Sequence, residues 1–244
     1  MTHANDLLKR LDELNAIGIA LSSERDITLL LEIILVAAKR IAHADAGTLY
    51  LVDAEHKELR FEIIRTDSLG IAMGGTSGKA ISFPPVRLYN DTGQPNHANV
   101  AAYAALSGQT VNIPDAYTAE GFDFSGTRAF DQKTGYRSTS FLTVPMRDHE
   151  GEIIGVLQLL NAKDRNTGDI APFTKDDVHL TESLSSQAAI ALTNRRLIRQ
   201  LEDLFESLIN LINTAIDDKS PYTGGHCERV PALTMLLAEA VNNS

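Results

Sequence analysis

Two apolar runs, 140–146 (SFLTVPM) and 153–160 (IIGVLQLL), flank the polar turn Arg147-Asp148-His149-Glu150-Gly151. Runs this short around a glycine-containing turn read as a β-hairpin, and their apolar density predicts a sheet covered on at least one face. Helical patterns before and after the hairpin supply the cover. The expected fold class is therefore α+β, a central antiparallel sheet with helices packed on it. In front of the hairpin lies 120–135, rich in Gly, Asp and Phe and too irregular for a strand. Long irregular segments inside compact domains are usually lids or binding loops, so a rigid hairpin joined to a closable loop is expected.

Earlier in the chain, Leu7, Leu8, Leu11, Leu14 and Ile17 recur at helical spacing, predicting an amphipathic helix over 3–21. Asp26 is a good N-cap for a second helix running to about Ala42. Strands over 46–52 and 58–65 flank the turn 53–57, giving a first hairpin. The segment 66–98 is rich in Gly and Pro, which argues against long regular elements; a short strand is expected near 81–88. Asn96 or Asn99 caps a helix ending at Gly108.

The last helix begins near Thr174 and meets no Gly or Pro before Pro221. Leu197, Leu201, Leu204, Leu208, Leu211 and Ala215 alternate at spacings of four and three, a heptad seam that Ile190 and Asn194 extend backwards. A solitary helix has no use for such a seam, so a homodimer through 190–215 or a bundle with the first helix is expected. Asn194 either sets the register from within the seam or sits at a solvated edge.

Composition narrows the function classes. A formal net charge of −10 at pH 7 argues against a nucleic-acid or anionic-membrane surface. The single cysteine, Cys227, excludes an intrachain disulfide and fits a reducing compartment. No leader is evident, since Asp6 and Lys9 interrupt the polar amino terminus, and the longest apolar run, 27–38, is broken by Glu32 and too short to span a bilayer. A cytoplasmic, soluble chain is expected. The seven histidines are scattered without HxxxH or HxH pairing, and neither GxSxG nor a P-loop occurs. No catalytic residue, resident metal or cofactor is expected.

The motifs IPDAY at 113–117, FDQKTGYRS at 130–138, LTVPM at 142–146 and IIGVLQLLNAK at 153–163 resemble the second half of a GAF domain, above all those of cyclic-nucleotide phosphodiesterases, adenylyl cyclases and related bacterial signalling proteins. The resemblance spans about 26–196 and is specific from Asn112 onward. It implies a GAF/PAS-like sheet and places ligand contacts at Thr48, Val100, Ala101, Asp131, Thr134, Ser138 and Gln158. The helix N-terminus after Asn99 would offer free N–H groups to a phosphate. The family's lock between sheet and long helix appears as Asn161, Lys163, Phe173 and Asp177, with Lys163 and Asp177 expected to pair. Departures exist: Ile64-Arg65 replace an aromatic-acidic pair, Ala162 is inserted, and 66–98 is long enough to fill the pocket itself. Asp131, Thr134 and Tyr136 read equally as ligand contacts or as caps of their own loop, and Phe122, Phe124 and Phe130 as loop anchors or ligand stackers.

Residues 217–230 resemble the opening of the HD-GYP phosphohydrolase domain, in which the histidine at the place of His226 belongs to the metal-binding face. Neither the His-Asp pair nor Gly-Tyr-Pro occurs in this chain. The expected organisation is an amphipathic helix over 1–25, a GAF sensor over 26–196, a coiled-coil linker over 197–218 and a truncated HD-GYP stub over 219–244. What the resemblance implies is a dimeric sensor of a small ligand, with a cyclic nucleotide as the candidate, coupled to a cyclic di-GMP phosphodiesterase. The alternatives are a GAF scaffold without ligand, and hydrolase activity residing only in a longer parent.

Overall fold

The computed structural model describes residues 2–219 and 226–242, and the side chains of 10–215 and 229–242. In chain order the elements are α1 (Thr2–Ser23), α2 (Ile27–Ile41), β1 (Ala44–Asp53), β2 (Glu58–Thr66), β3 (Ile71–Gly74), β4 (Val86–Arg87), α3 (Val100–Ser107), β5 (Val111–Ile113), α4 (Ser125–Thr134), β6 (Phe141–Arg147), β7 (Ile153–Lys163), β8 (Ile170–Ala171), α5 (Lys175–Lys219) and α6 (His226–Asn242).

Local signals account for several boundaries. Asp26 accepts from the backbone N–H groups of Thr28 (2.6 Å) and Leu29 (3.0 Å), satisfying two orphan donors at the start of α2. Asn99 does the same for Ala101 and Ala102 at α3, and Gly108 ends that helix at φ 65°, a left-handed cap that glycine adopts without strain. Asn96 is instead committed to the carbonyl of Arg87.

The strands run β3-β2-β1-β7-β6-β5, all antiparallel, with β4 added to β2 and β8 to β7. A Cβ at Gly155 would drive into the carbonyl oxygen of Tyr50, so glycine there lets β7 lie tight against β1.

Alternation along the strands divides their side chains between two cores. Leu49, Leu142, Val144, Met146, Leu157 and Leu159 pack against α1, α2 and the first turns of α5. The opposite face meets α3: Tyr50 and Val156 contact Leu88, Ala101, Ala102 and Ala104, while Phe141 and Val111 contact Val100, Ile113 and Phe124.

Three expectations change here. The segment 120–135 is not all loop, because α4 occupies most of it; its one buried residue is Asp131, so it has no apolar stripe to announce it. Within 66–98, the strand expected at 81–88 shrinks to Val86–Arg87, and β3 forms earlier. The Lys163–Asp177 pair does not form. Lys163 pairs with Asp45 (2.5 Å) and Asp177 with Arg10 (2.5 Å), because the Arg10 guanidinium arrives at the start of α5 from α1.

Contacts divide the chain into two units, Met1–Thr193 and Asn194–Ser244. In the second, Leu197, Leu201, Leu204, Leu208 and Leu211 on α5 and Leu233, Leu236 and Leu237 on α6 are all exposed. The side chains of His226 and Cys227 lie outside the described residues. Among the described residues no helix is long and apolar enough to cross a membrane.

Candidate ligand site

On the α3 face, the register brings Thr48 opposite Gln158 and Gln158 opposite Thr143, so the three side chains form one row across β1, β7 and β6. Gln158 accepts from the Tyr50 hydroxyl (3.2 Å) and donates to Thr143 Oγ1 (3.1 Å). An amide offers two donors and two acceptor sites, so Gln158 keeps capacity beyond these bonds. Burial drives the Tyr50 hydroxyl pKa upward, keeping it a proton donor. A sheet face used only for packing would be apolar here, so this polar row is the feature a ligand would address. Tyr50 and Thr143, which complete it, are not among the sequence-predicted contacts; the alternation of side chains along β1 and β6 was the available signal.

Aromatic rings line the neighbourhood of this row. Phe61 stands 4.6 Å from Tyr50, and Phe83 links Phe61 (5.8 Å) to Phe130 of α4 (6.5 Å), centroid to centroid. Phe124 contacts Phe141, and Phe122 lies against Tyr103 and Phe124. Phe83 belongs to the long 66–98 segment and is 39% exposed, whereas Leu88 from the same segment is buried over the sheet.

The remaining predicted contacts sit nearby with commitments of their own. Asp131 is buried; its Oδ1 accepts from Ser138 Oγ (2.8 Å), and its Oδ2 from Ser138 N (2.8 Å) and the Tyr117 hydroxyl (2.7 Å). Thr134 donates to the Phe130 carbonyl and accepts from Tyr136 N. These bonds tie the segment after α4 to α4 itself and, through Tyr117, to the stretch before it. Val100 and Ala101 are buried at the start of α3, and the Ala101 N–H is already taken by Asn99. An anion at that helix end would have to displace the Asn99 side chain.

Two hubs attach the loop to the sheet. Asn161, at φ 56° and fully buried, accepts from Thr139 N (2.7 Å) and donates to the Arg137 carbonyl (2.8 Å). Asp45 accepts from Lys163 Nζ (2.5 Å), Ser68 Oγ (2.6 Å) and the Tyr136 hydroxyl (2.9 Å). Burial alone would raise the Asp45 carboxyl, but these three donors outweigh it and hold it below the usual range. Burial and the adjacent Asp45 charge both push Tyr136 upward, so it stays protonated. Phe173 is buried in the helix-side core, and its carbonyl accepts from Asn112 (3.1 Å).

Among the described residues, one group of metal-capable donors, Asp53, His56 and Glu58, brings its ligand atoms within 4.8 Å of one another. Asp53 is engaged there by His56, through both backbone N–H and ring, with Arg60 at 3.8 Å, which is the bonding of a hairpin turn.

The sequence profile of the GAF domain matches residues 26–192. The chain belongs to the GAF domain family. Among relatives, a dual 3′,5′-cyclic-AMP and -GMP phosphodiesterase 11A from Takifugu rubripes is 28% identical over 203 residues, covering 82% of this chain and 21% of that protein. A cGMP-specific 3′,5′-cyclic phosphodiesterase from Drosophila melanogaster is 26% identical over 207 residues, covering 82% of this chain and 17% of its own. The chain thus spans about a fifth of the length of these relatives. Among solved structures, the GAF domain of a phosphoenolpyruvate-protein phosphotransferase from Coxiella burnetii superposes with a TM-score of 0.59 at 15% identity, covering 80% of this chain and 98% of that one. A free methionine-R-sulfoxide reductase from Neisseria meningitidis, solved with its substrate, gives 0.56 at 17%, covering 79% and 93%. At such identities the likeness is one of fold.

Proposed function

We propose that this GAF domain is the sensory part of a signalling protein and binds a small ligand over the Thr48–Gln158–Thr143 row, under α3 and α4. The observation that carries the reading is that row: hydrogen-bonding capacity placed mid-sheet, where packing alone calls for apolar side chains. The names of the curated relatives favour a cyclic nucleotide as the ligand class. Occupancy would bias α5, whose first turns pack on the far side of the same sheet, and through a paired helix seam would reach a downstream HD-GYP phosphodiesterase. Any hydrolysis belongs to that downstream domain.

Calorimetry with cyclic AMP, cyclic GMP and cyclic di-GMP tests the ligand. Saturable heat from one of them, weakened about tenfold in Gln158→Leu, is the expected result for a lost pair of hydrogen bonds. No heat from all three removes the nucleotide reading.

A second reading, a dimerisation scaffold without ligand, is favoured by Leu88 and Phe83, which lay part of the 66–98 segment over the site. Phe83→Ala separates the two. It leaves ligand binding absent in a scaffold and changes the measured affinity in a sensor.

A further inference from the structure

A cleft of about 420 Å³ opens beside the C-terminal end of α2, and its polar lining is Lys39, Arg40, His43, Arg65, Asp67 and Lys163. Four permanent cations and a histidine converge there against a single lining carboxylate, in a chain whose formal net charge is −10. All four cations have carboxylate partners: Arg65 with Glu32, Lys163 with Asp45, Lys39 with Asp67, and Arg40 with Glu13. The partners are not equivalent. Glu32 is also held by Thr76, and Asp45 by Ser68 and Tyr136. The Asp67 side chain is 69% exposed, whereas the Lys39 side chain it meets is 8% exposed.

Lys39 is therefore a desolvated ammonium with three N–H donors, facing the cleft across a carboxylate that water already surrounds. The exposed end of such a pair holds its partner weakly, because hydration competes for the carboxylate. Burying the ammonium is costly unless an anion stays beside it. Arg40, whose side chain is 59% exposed, stands at the same cleft in a long, exposed pair with Glu13 at 4.0 Å.

We propose that this cleft binds a small phosphorylated anion, which displaces Asp67 from Lys39 and takes a further contact from Arg40. A phosphate group suits it better than a carboxylate. Its oxygens diverge tetrahedrally and can meet several cations at once, whereas Asp67 supplies one bond to Lys39. The volume lies within the range of small-molecule sites, so a phosphate ester fits as well as a free phosphate. The cleft lies by α2 and the end of β2, apart from the Thr48–Gln158–Thr143 row, so this site stands independently of the ligand proposed above.

The test is an amide-shift titration of the full chain with inorganic phosphate, pyrophosphate and adenosine 5′-monophosphate in separate series. The expected result is saturable shifts centred on 36–44, 65–67 and 163 with at least one of them. Tighter binding of pyrophosphate assigns the site to free phosphates; tighter binding of the nucleotide assigns it to esters. Two exposed positions then give opposite signs. Arg40→Ala weakens binding about tenfold, the loss of one charge-assisted contact. Asp67→Asn removes the competing anion and strengthens binding about threefold or more, on the scale of an exposed ion pair. A merely structural Asp67 would not produce that gain. Absence of saturable shifts with all three anions up to about 10 mM, weaker than any functional site of this size, overturns the proposal. So does an Asp67→Asn variant that binds no more tightly than the parent.

Discussion

Arg10 on α1 and Asp177 on α5 meet 2.5 Å apart in a buried ion pair, although 167 residues separate them in the chain. Arg10 also donates to the carbonyl of Ile41 (2.7 Å) at the end of α2, and Asp177 caps α5 by accepting from Thr174 N (2.8 Å) and Thr174 Oγ1 (2.7 Å). The middle of α1, the end of α2 and the start of α5 are thereby tied at one point. Removing one member leaves the other buried and uncompensated, which costs about 3–5 kcal/mol. Arg10→Met is expected near the lower figure, because Thr174 still serves Asp177. Asp177→Leu is expected to cost more, since the cap goes with it. Urea unfolding measures both, and the double variant should recover part of the summed loss, because no orphaned charge remains.

Asp45 makes acid stability a sensitive readout of the sheet-to-loop connection. Its folded carboxyl lies below its ordinary value because the Lys163, Ser68 and Tyr136 donors outweigh burial. A carboxyl depressed in this way contributes stability at every pH above its unfolded value of about 3.9, and the contribution drains away as pH falls through the folded value. The parent should therefore lose stability as pH falls through the acid range below the unfolded value of about 3.9. Asp45→Asn should be weaker at neutral pH but flatter across that window. Equal slopes for the two proteins in urea unfolding at stepped pH would contradict the assignment.

Asn161 combines a left-handed backbone with two buried side-chain bonds, so its substitutions separate the two contributions. Asn161→Gly keeps the backbone at ease and loses only the bonds, at about 1–3 kcal/mol. Asn161→Ala should cost about 1 kcal/mol more, because alanine resists positive φ. A Gly variant no better than the Ala variant in thermal unfolding would show that φ 56° carries no strain.

How legible the fold was in the sequence depended on distance along the chain. Asp26 and Asn99 cap helices that begin one residue later, and the 147–151 turn joins strands directly paired beside it, so local rules suffice. The brace at Asp177 failed to declare itself because its partner, Arg10, is a whole domain away, while Lys163 lay invitingly near and had its own carboxylate in Asp45. Helix α4 stayed hidden because its buried residue is a charged one. At the site, Gln158 and Thr48 were nameable from the resemblance. Alternation along β1 and β6 put Tyr50 and Thr143 on the same face, but their place beside Gln158 is set by the register of three strands.

The seam on the second unit makes the last prediction. Leu197, Leu201, Leu204, Leu208 and Leu211 are 46–67% exposed, in the four-three alternation of a coiled-coil stripe. Burying five leucines from each of two copies offers on the order of 15 kcal/mol. Association costs about 4–15 kcal/mol in lost freedom; with a cost in the lower part of that range, below about 7 kcal/mol, the surplus corresponds to a dimer of micromolar affinity or tighter. Sedimentation equilibrium should then report a dimer. Leu201→Asp with Leu208→Asp places four carboxylates in the stripe of a would-be dimer, two from each copy, and should yield a monomer. These positions belong to the unit Asn194–Ser244, so the unfolding of Met1–Thr193 should keep its midpoint. A parent chain that sediments as a monomer at tens of micromolar, roughly ten times the expected constant, would leave the leucine stripe without an occupant and the helix without a means of relay.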